Sequence, residues 1–301
     1  MTAASQAPSL TSAPPRLMTL RRFARAFARQ RTGMAGLAIL VAVTVVALAA
    51  PLFIHASDLD VINAPGPSLA PPSAQFPLGT DQAGRSVLDL LIWGTRPSLA
   101  IGVIATVLTM ILGSVIGLLA GHYGGSAAKV LMAVTDWFIA LPDLPLAISL
   151  AAVLGQGDAS ITIAIVVTSW SGTARLIRAQ TLAVQGRPFI ERAKVLGASD
   201  VQLMARHVLP NVAPFILVSG TLTVASAILS ETTLTFLGLG NPTDVSWGSM
   251  INQALNQGAV ISGAWWYVLP PGVAILIVVL GFTLVGRAVE NILNPRMAAK
   301  I

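Results

Sequence analysis

The sequence predicts an all-α membrane protein with six transmembrane helices and both termini in the cytoplasm. Composition is the first reason: of 301 residues, 54% are hydrophobic and only 10% are charged. A soluble domain carries about 25% charged residues, so the apolar excess here needs lipid rather than water. The second reason is six apolar runs near the ~20 residues that a ~30 Å hydrocarbon layer requires. The third is the placement of the basic residues. With the N-terminus inside, 16 of the 18 lysines and arginines fall on the cytoplasmic side, leaving only Arg85 and Arg96 outside. The net charge of +6 is therefore a record of topology, and nucleic-acid binding loses its support. With no cysteine, disulfides, thiolate chemistry and cysteine-ligated zinc are excluded.

The elements follow in order. Met1 to Thr19, rich in Ala, Ser, Pro and Thr, reads as disordered. Leu20 to Arg31 alternates arginine with Phe23 and Phe27, one turn apart, which suits a helix on the cytoplasmic membrane surface. The first span, 33–55, is uncharged and too long for a signal-peptide core, although Ala47-Leu48-Ala49 resembles a cleavage site. Five prolines between positions 65 and 77 make 56–96 an irregular external loop. The second span, about 97–121, carries Gly113, Gly117 and Gly121 at four-residue spacing, a stripe that lets a neighbouring helix come close. Packing within the subunit is the default reading of that stripe and dimerisation the second.

The third span, about 130–154, contains Asp136 and Asp143, and Pro142 and Pro145 break it, freeing backbone groups that the Asp143 carboxylate could reach. A fourth, about 159–174, stops at Arg175 and Arg178. The fifth, about 212–237, contains Glu231, and the last runs from about 268 to 285. Between these two, a polar stretch from Ser246 to Gln257 lies outside, and Trp265, Trp266 and Tyr267 lead into the last span as an interfacial anchor. Carboxylates in lipid are costly, so Asp136, Asp143 and Glu231 each need a helix interface, water or a partner, and are candidates for a pathway or gate.

The cytoplasmic loop 179–210 is the most informative segment. Pro188 suits a first helical position, and Gly197 the left-handed residue that ends the helix. Glu191 and Lys194 complement the helix dipole, while Phe189, Ala193 and Leu196 share a face. Ser199 with Gln202 forms a capping box for a second short helix, which Pro210 closes. Such short helices are unstable alone and must be braced against something.

Glu191-Arg192-Ala193, Gly197 and Leu209-Pro210 together resemble the "EAA loop" of binding-protein-dependent ABC import permeases. Arg192 replaces the usual alanine, and His207 stands where the general signature has isoleucine, as in the dipeptide/oligopeptide subgroup. Leu78 to Arg85 resembles that subgroup's "LGTDxxGR", with Ser86 in place of the following Asp. Trp93 to Leu99 is similar to "YGxRxSL", Glu231 to Gly240 followed by Ser246-Trp247-Gly248 to "EASLSFLGLG…SWG", and Asn294-Pro295-Arg296 to "DPR". The resemblance implies a type I ABC importer permease in a bacterial inner membrane. It has an N-terminal arm 1–32, a core 97–290 with five spans, and a cytoplasmic tail 291–301. It implies that Pro188, Phe189, Glu191, Arg192, Ala193, Leu196, Gly197, Ala198, Ser199, Asp200, Leu209 and Pro210 form a loop seated in a groove of an ATPase subunit.

The implied partners are a homologous second permease, two ABC ATPases carrying ATP and Mg²⁺, and an extracytoplasmic binding protein. This chain binds no cofactor directly. It has no G-x-x-x-x-G-K-[ST] to cradle phosphates, and His55, His122 and His207 make no metal-ligand spacing. The implied cargo is di- or oligopeptides, with nickel or glutathione as alternatives on the same architecture. An ion-driven secondary transporter using Asp136 or Glu231 is a rival from hydropathy alone, as is a membrane receptor without flux.

Overall fold

A computed structural model of the chain describes residues 20–62 and 64–293. The expectation of disorder over Met1 to Thr19 and the motif Asn294-Pro295-Arg296 lie outside them. Among the described residues there are helices and no strands. A surface helix, α1 (Leu20–Ala28), stacks Phe23 on Phe27 with ring centroids 6.4 Å apart. Then come α2 (Arg31–Phe53), α3 (Val87–His122), α4 (Gly125–Ala140), α5 (Asp143–Leu154) and α6 (Asp158–Gln185). The second half holds α7 (Pro188–Val195), α8 (Asp200–Gln202), α9 (Leu209–Phe236), α10 (Trp247–Asn256) and α11 (Trp265–Leu293). Five helices are long and apolar enough to span a bilayer, or six if the bent pair α4–α5 counts as one. The protein is thus a multi-pass membrane protein.

Several boundaries move from their sequence positions, each for a physical reason. The second span begins at Val87 rather than about 97, because Ser86 caps it by accepting from Asp89 N at 3.3 Å and Pro97 is carried inside the helix. The fourth span does not stop at Arg175 but runs on to Gln185. Arg175 is accommodated by an ion pair, its Nη2 meeting Asp136 Oδ1 at 2.5 Å, while Arg178 is half-buried with its Nε enclosed. The break in the third span is present, with α4 and α5 meeting at 93° beside Pro142. Asp143, however, is exposed and makes no side-chain hydrogen bond among the described residues, so it does not reach the freed backbone.

The largest correction concerns Pro210, which does not close a helix. Leu203–Val208 is a π-helical segment that joins α8 to α9, so one rod runs from Asp200 to Phe236. Leu209 N bonds Met204 O, five residues back. A proline ring normally clashes with the carbonyl four residues earlier and removes a donor. The wider turn relieves both problems where the register changes.

Packing is arranged around α3. The glycine stripe faces α6 within the subunit: a Cβ on Gly117 would lie 2.5 Å from Ala174 O and 2.9 Å from Ile177 Cβ. At the α10 end, Tyr267, Trp247, Met250, Val87 and Ile228 form one apolar cluster. Tyr267 is therefore core rather than an interfacial anchor, and Trp266 is tied inward through Nε1 to Thr80 O at 3.3 Å. Trp265 alone of the three is exposed. The polar stretch after Ser246 is the amphipathic α10, started by a capping box between Ser246 and Ser249.

Candidate functional site

The loop after α6 folds as a braced hairpin. Pro188 occupies the first turn of α7, where its missing N–H leaves no acceptor wanting. Gly197 ends the helix at φ +84°, a conformation that costs a side chain dearly, and Ala198 N returns to Ala193 O at 3.0 Å. Ser199 Oγ accepts from Gln202 N at 3.4 Å while Gln202 Oε1 accepts from Ser199 N at 3.2 Å, the expected capping box. Glu191 lies in the first turn of α7, and Arg192 and Lys194 in the last.

Buried apolar residues hold this hairpin to the bundle. Ile190, Leu203, Val208 and Val212 pack with Ile177 and Val184 of α6, and Phe189, Ala193 and Ala198 lie against them. Ile190, which no motif in the sequence marks, is fully buried, one residue from Phe189 on the inward side. Leu196 does not share that face. Because α7 ends at Val195, Leu196 leaves the helical course and points outward. Val195, Leu196 and Val201 form an exposed apolar tip at 87, 86 and 67% exposure. Leu209 and Pro210, by contrast, lie at the root of α9.

A polar brace adds to the apolar one. His122, at the end of α3, contacts the Gln185 amide through Nδ1 and reaches Asp200 Oδ1 from Nε2 at 3.1 Å. Its side chain is almost fully enclosed, so α3, α6 and the hairpin meet at one imidazole. In the sequence His122 shows only that it makes no metal-ligand spacing with His55 and His207. The fold, which brings positions 122, 185 and 200 together, reveals the brace.

The three carboxylates do not converge. Asp136 pairs with Arg175 on an exposed face of α4 and α6. Asp143 stands apart at the bend. Glu231 is fully buried and accepts from Thr232 Oγ1 at 3.3 Å and Thr235 Oγ1 at 3.4 Å, both on its own helix. No single pathway constellation links them.

A second buried polar cluster sits at the α10 end and was read from sequence only as a motif. Arg85 Nε donates to Asp81 Oδ2 at 2.7 Å, and Arg85 N to Asp81 Oδ1 at 2.8 Å. Arg85 Nη2 and Tyr267 Oη both donate to Gln253 Oε1, each at 3.2 Å. Arg85 Nη1 reaches Leu59 O at 3.3 Å. This network ties the loop between α2 and α3 to α10 and α11.

Residues 113–299 match the family described as binding-protein-dependent transport system inner membrane component. Residues 19–72 match the N-terminal TM domain of oligopeptide transport permease C. A di/tripeptide transport system permease protein of Pseudomonas aeruginosa is 36% identical over 296 residues, covering 96% of this chain and 95% of that one. An oligopeptide transport system permease protein of Bacillus subtilis is 35% identical, covering 90% and 88%. A glutathione transport system permease protein of Pectobacterium atrosepticum is 34% identical, covering 92% and 91%.

Proposed function

We propose, because this chain belongs to the family of binding-protein-dependent transport system inner membrane components, that it is one of two permease subunits in an ATP-driven importer of short peptides. The α7 hairpin is then cytoplasmic, both termini lie on its side of a bacterial inner membrane, and α4–α5 counts as the third of six spans. A homologous second permease completes the pathway. Two ATPase subunits supply ATP and Mg²⁺ chemistry, and a binding protein delivers cargo from outside.

The exposed tip Val195–Leu196–Val201 on a rigid base carries this reading. Apolar side chains worth ~1.5–3 kcal/mol each on burial are held in water by a hairpin whose other face is packed through Ile190, Leu203 and Val208. Such a surface is stable only as a foot for a partner. Closure of the ATPase dimer moves the foot, and the hairpin passes that motion to α3, α6 and α9 through Ile190, Leu203 and the His122 brace. The ATPase need only favour one of two packings of the bundle, which it does by contacting the foot differently in each.

The test is the reconstituted complex with its ATPases and binding protein. Leu196→Asp and Gly197→Pro should cut peptide uptake more than tenfold while the protein still inserts and the ATPases still hydrolyse ATP. A proline ring fixes φ near −65°, which the left-handed position of Gly197 cannot accept. Wild-type uptake by both variants would remove the foot from the mechanism. The same assay with glutathione separates that cargo, named for one relative, from longer peptides.

A further inference from the structure

The segment Trp93 to Leu99 serves two opposite faces of α3. Gly94 and Ser98, one turn apart, seat the start of α10. A Cβ on Gly94 would meet Val245 O at 3.4 Å, and Ser98 Oγ accepts from Trp247 N at 3.2 Å. Arg96 lies two residues from each, about 160° round the helix, so seating α10 does not account for it. It is exposed, and among the described residues it has no hydrogen bond or ion pair. Its guanidinium stands 5.0 Å from the centroid of the Trp93 ring.

A groove of about 330 Å³ opens beside Arg96 between α2, α3 and α11. Leu40, Val43, Ala47, Leu99, Val103 and Phe282 line it. The Thr44 hydroxyl in its wall is turned to Leu40 O at 2.7 Å, so Arg96 is its one charged group. Arg96 to Val103 spans ~10 Å of helix and Leu40 to Leu48 ~12 Å. Arg96 is ~39 Å along α3 from His122, close to the ~40 Å of a bilayer that includes its headgroup layers. With His122 at one boundary, Arg96 sits at the other headgroup layer and the groove reaches toward the bilayer middle.

We propose that this groove is a binding site for an anionic phospholipid, one acyl chain lying along α2 and α3 and the phosphate on Arg96. Apolar walls alone do not select a lipid, because acyl tails are as apolar as leucine. Selectivity comes from the guanidinium. Unpaired at the membrane edge it is costly, and a phosphate offers it paired, charge-assisted hydrogen bonds. The lipid fills the gap that α2 leaves by packing chiefly on α11, and so fastens the first span to the core. This proposal rests on the chain spanning a membrane and is independent of the cargo.

The full chain is placed in nanodiscs of equal phosphatidylglycerol and phosphatidylcholine, released, and its retained lipids counted by native mass spectrometry. The wild type should keep phosphatidylglycerol in preference. Arg96→Gln should lower that preference about tenfold without changing phosphatidylcholine retention, while Arg96→Lys, which keeps the charge, retains part of it. Ala100→Trp, at the exposed lip of the groove, should reduce both lipids. Equal retention of the two lipids by wild type, an Arg96→Gln profile identical to wild type, or a partner-subunit helix seated in the groove of the assembled complex would overturn it.

Discussion

Asp81 and Arg85 show how much a single buried pair can carry. Both are buried, and Arg85 also holds Leu59 O and Gln253. Asp81→Ala leaves a guanidinium enclosed without its countercharge, which costs ~3–5 kcal/mol in comparable pairs. Arg85→Met strands the carboxylate at a similar cost. The double variant should be less damaging than the sum of the two, since neither charge is then left alone. Thermal unfolding of the detergent-purified chain measures all three. The four-residue spacing of the pair is visible in the sequence, but Gln253 and Tyr267 lie more than 160 positions away, and only packing of α10 and α11 brings them in. Glu231 is the opposite case. Its donors Thr232 and Thr235 are one and four positions on, so a helix through that segment already implies those two contacts, whereas Ser246, at the start of α10, comes from elsewhere in the chain.

Between residues and the whole stand helices whose ends were legible in different degrees. The caps of α7 and α8 follow from Pro188, Gly197, Ser199 and Gln202, because capping is local chemistry. The continuity of α8 with α9 does not follow, because rules for proline presume an α-helical register and Leu203–Val208 departs from it. A π-helical turn amounts to one inserted residue. Removing Arg206 should therefore restore an ordinary α-turn and bring the Pro210 ring against the carbonyl four residues earlier, kinking the rod between the hairpin and α9. Uptake should be lost, and cross-links from Leu196→Cys to the ATPase should move to new positions or vanish. The glycine stripe makes a sharper prediction. Gly117→Val forces methyl groups against Ala174 O and Ile177, so α3 and α6 must separate, costing ~1–3 kcal/mol or more. A lowered melting temperature, with Gly172→Ala as the unhindered control, checks this.

Across the whole molecule, hydropathy marks the spans and the basic residues predict their direction, whereas the lateral order of the helices depends on contacts that no local pattern encodes. The direction itself is open to direct measurement because the chain has no cysteine. Ile62→Cys, on an exposed loop residue, should react with a membrane-impermeant maleimide in intact cells. Leu196→Cys should react only after the membrane is opened, and the reverse pattern would invert the orientation. The uninterrupted rod from Asp200 to Phe236 has a mechanical consequence as well. At ~1.5 Å per residue it is a lever about 55 Å long, so a tilt of about 5° at its foot swings the far end by roughly 5 Å. That far end is fastened to α10, where Asn252 Nδ2 grips Phe236 O at 2.6 Å. A nudge too small to break any contact below thus becomes a displacement the width of a helical turn above.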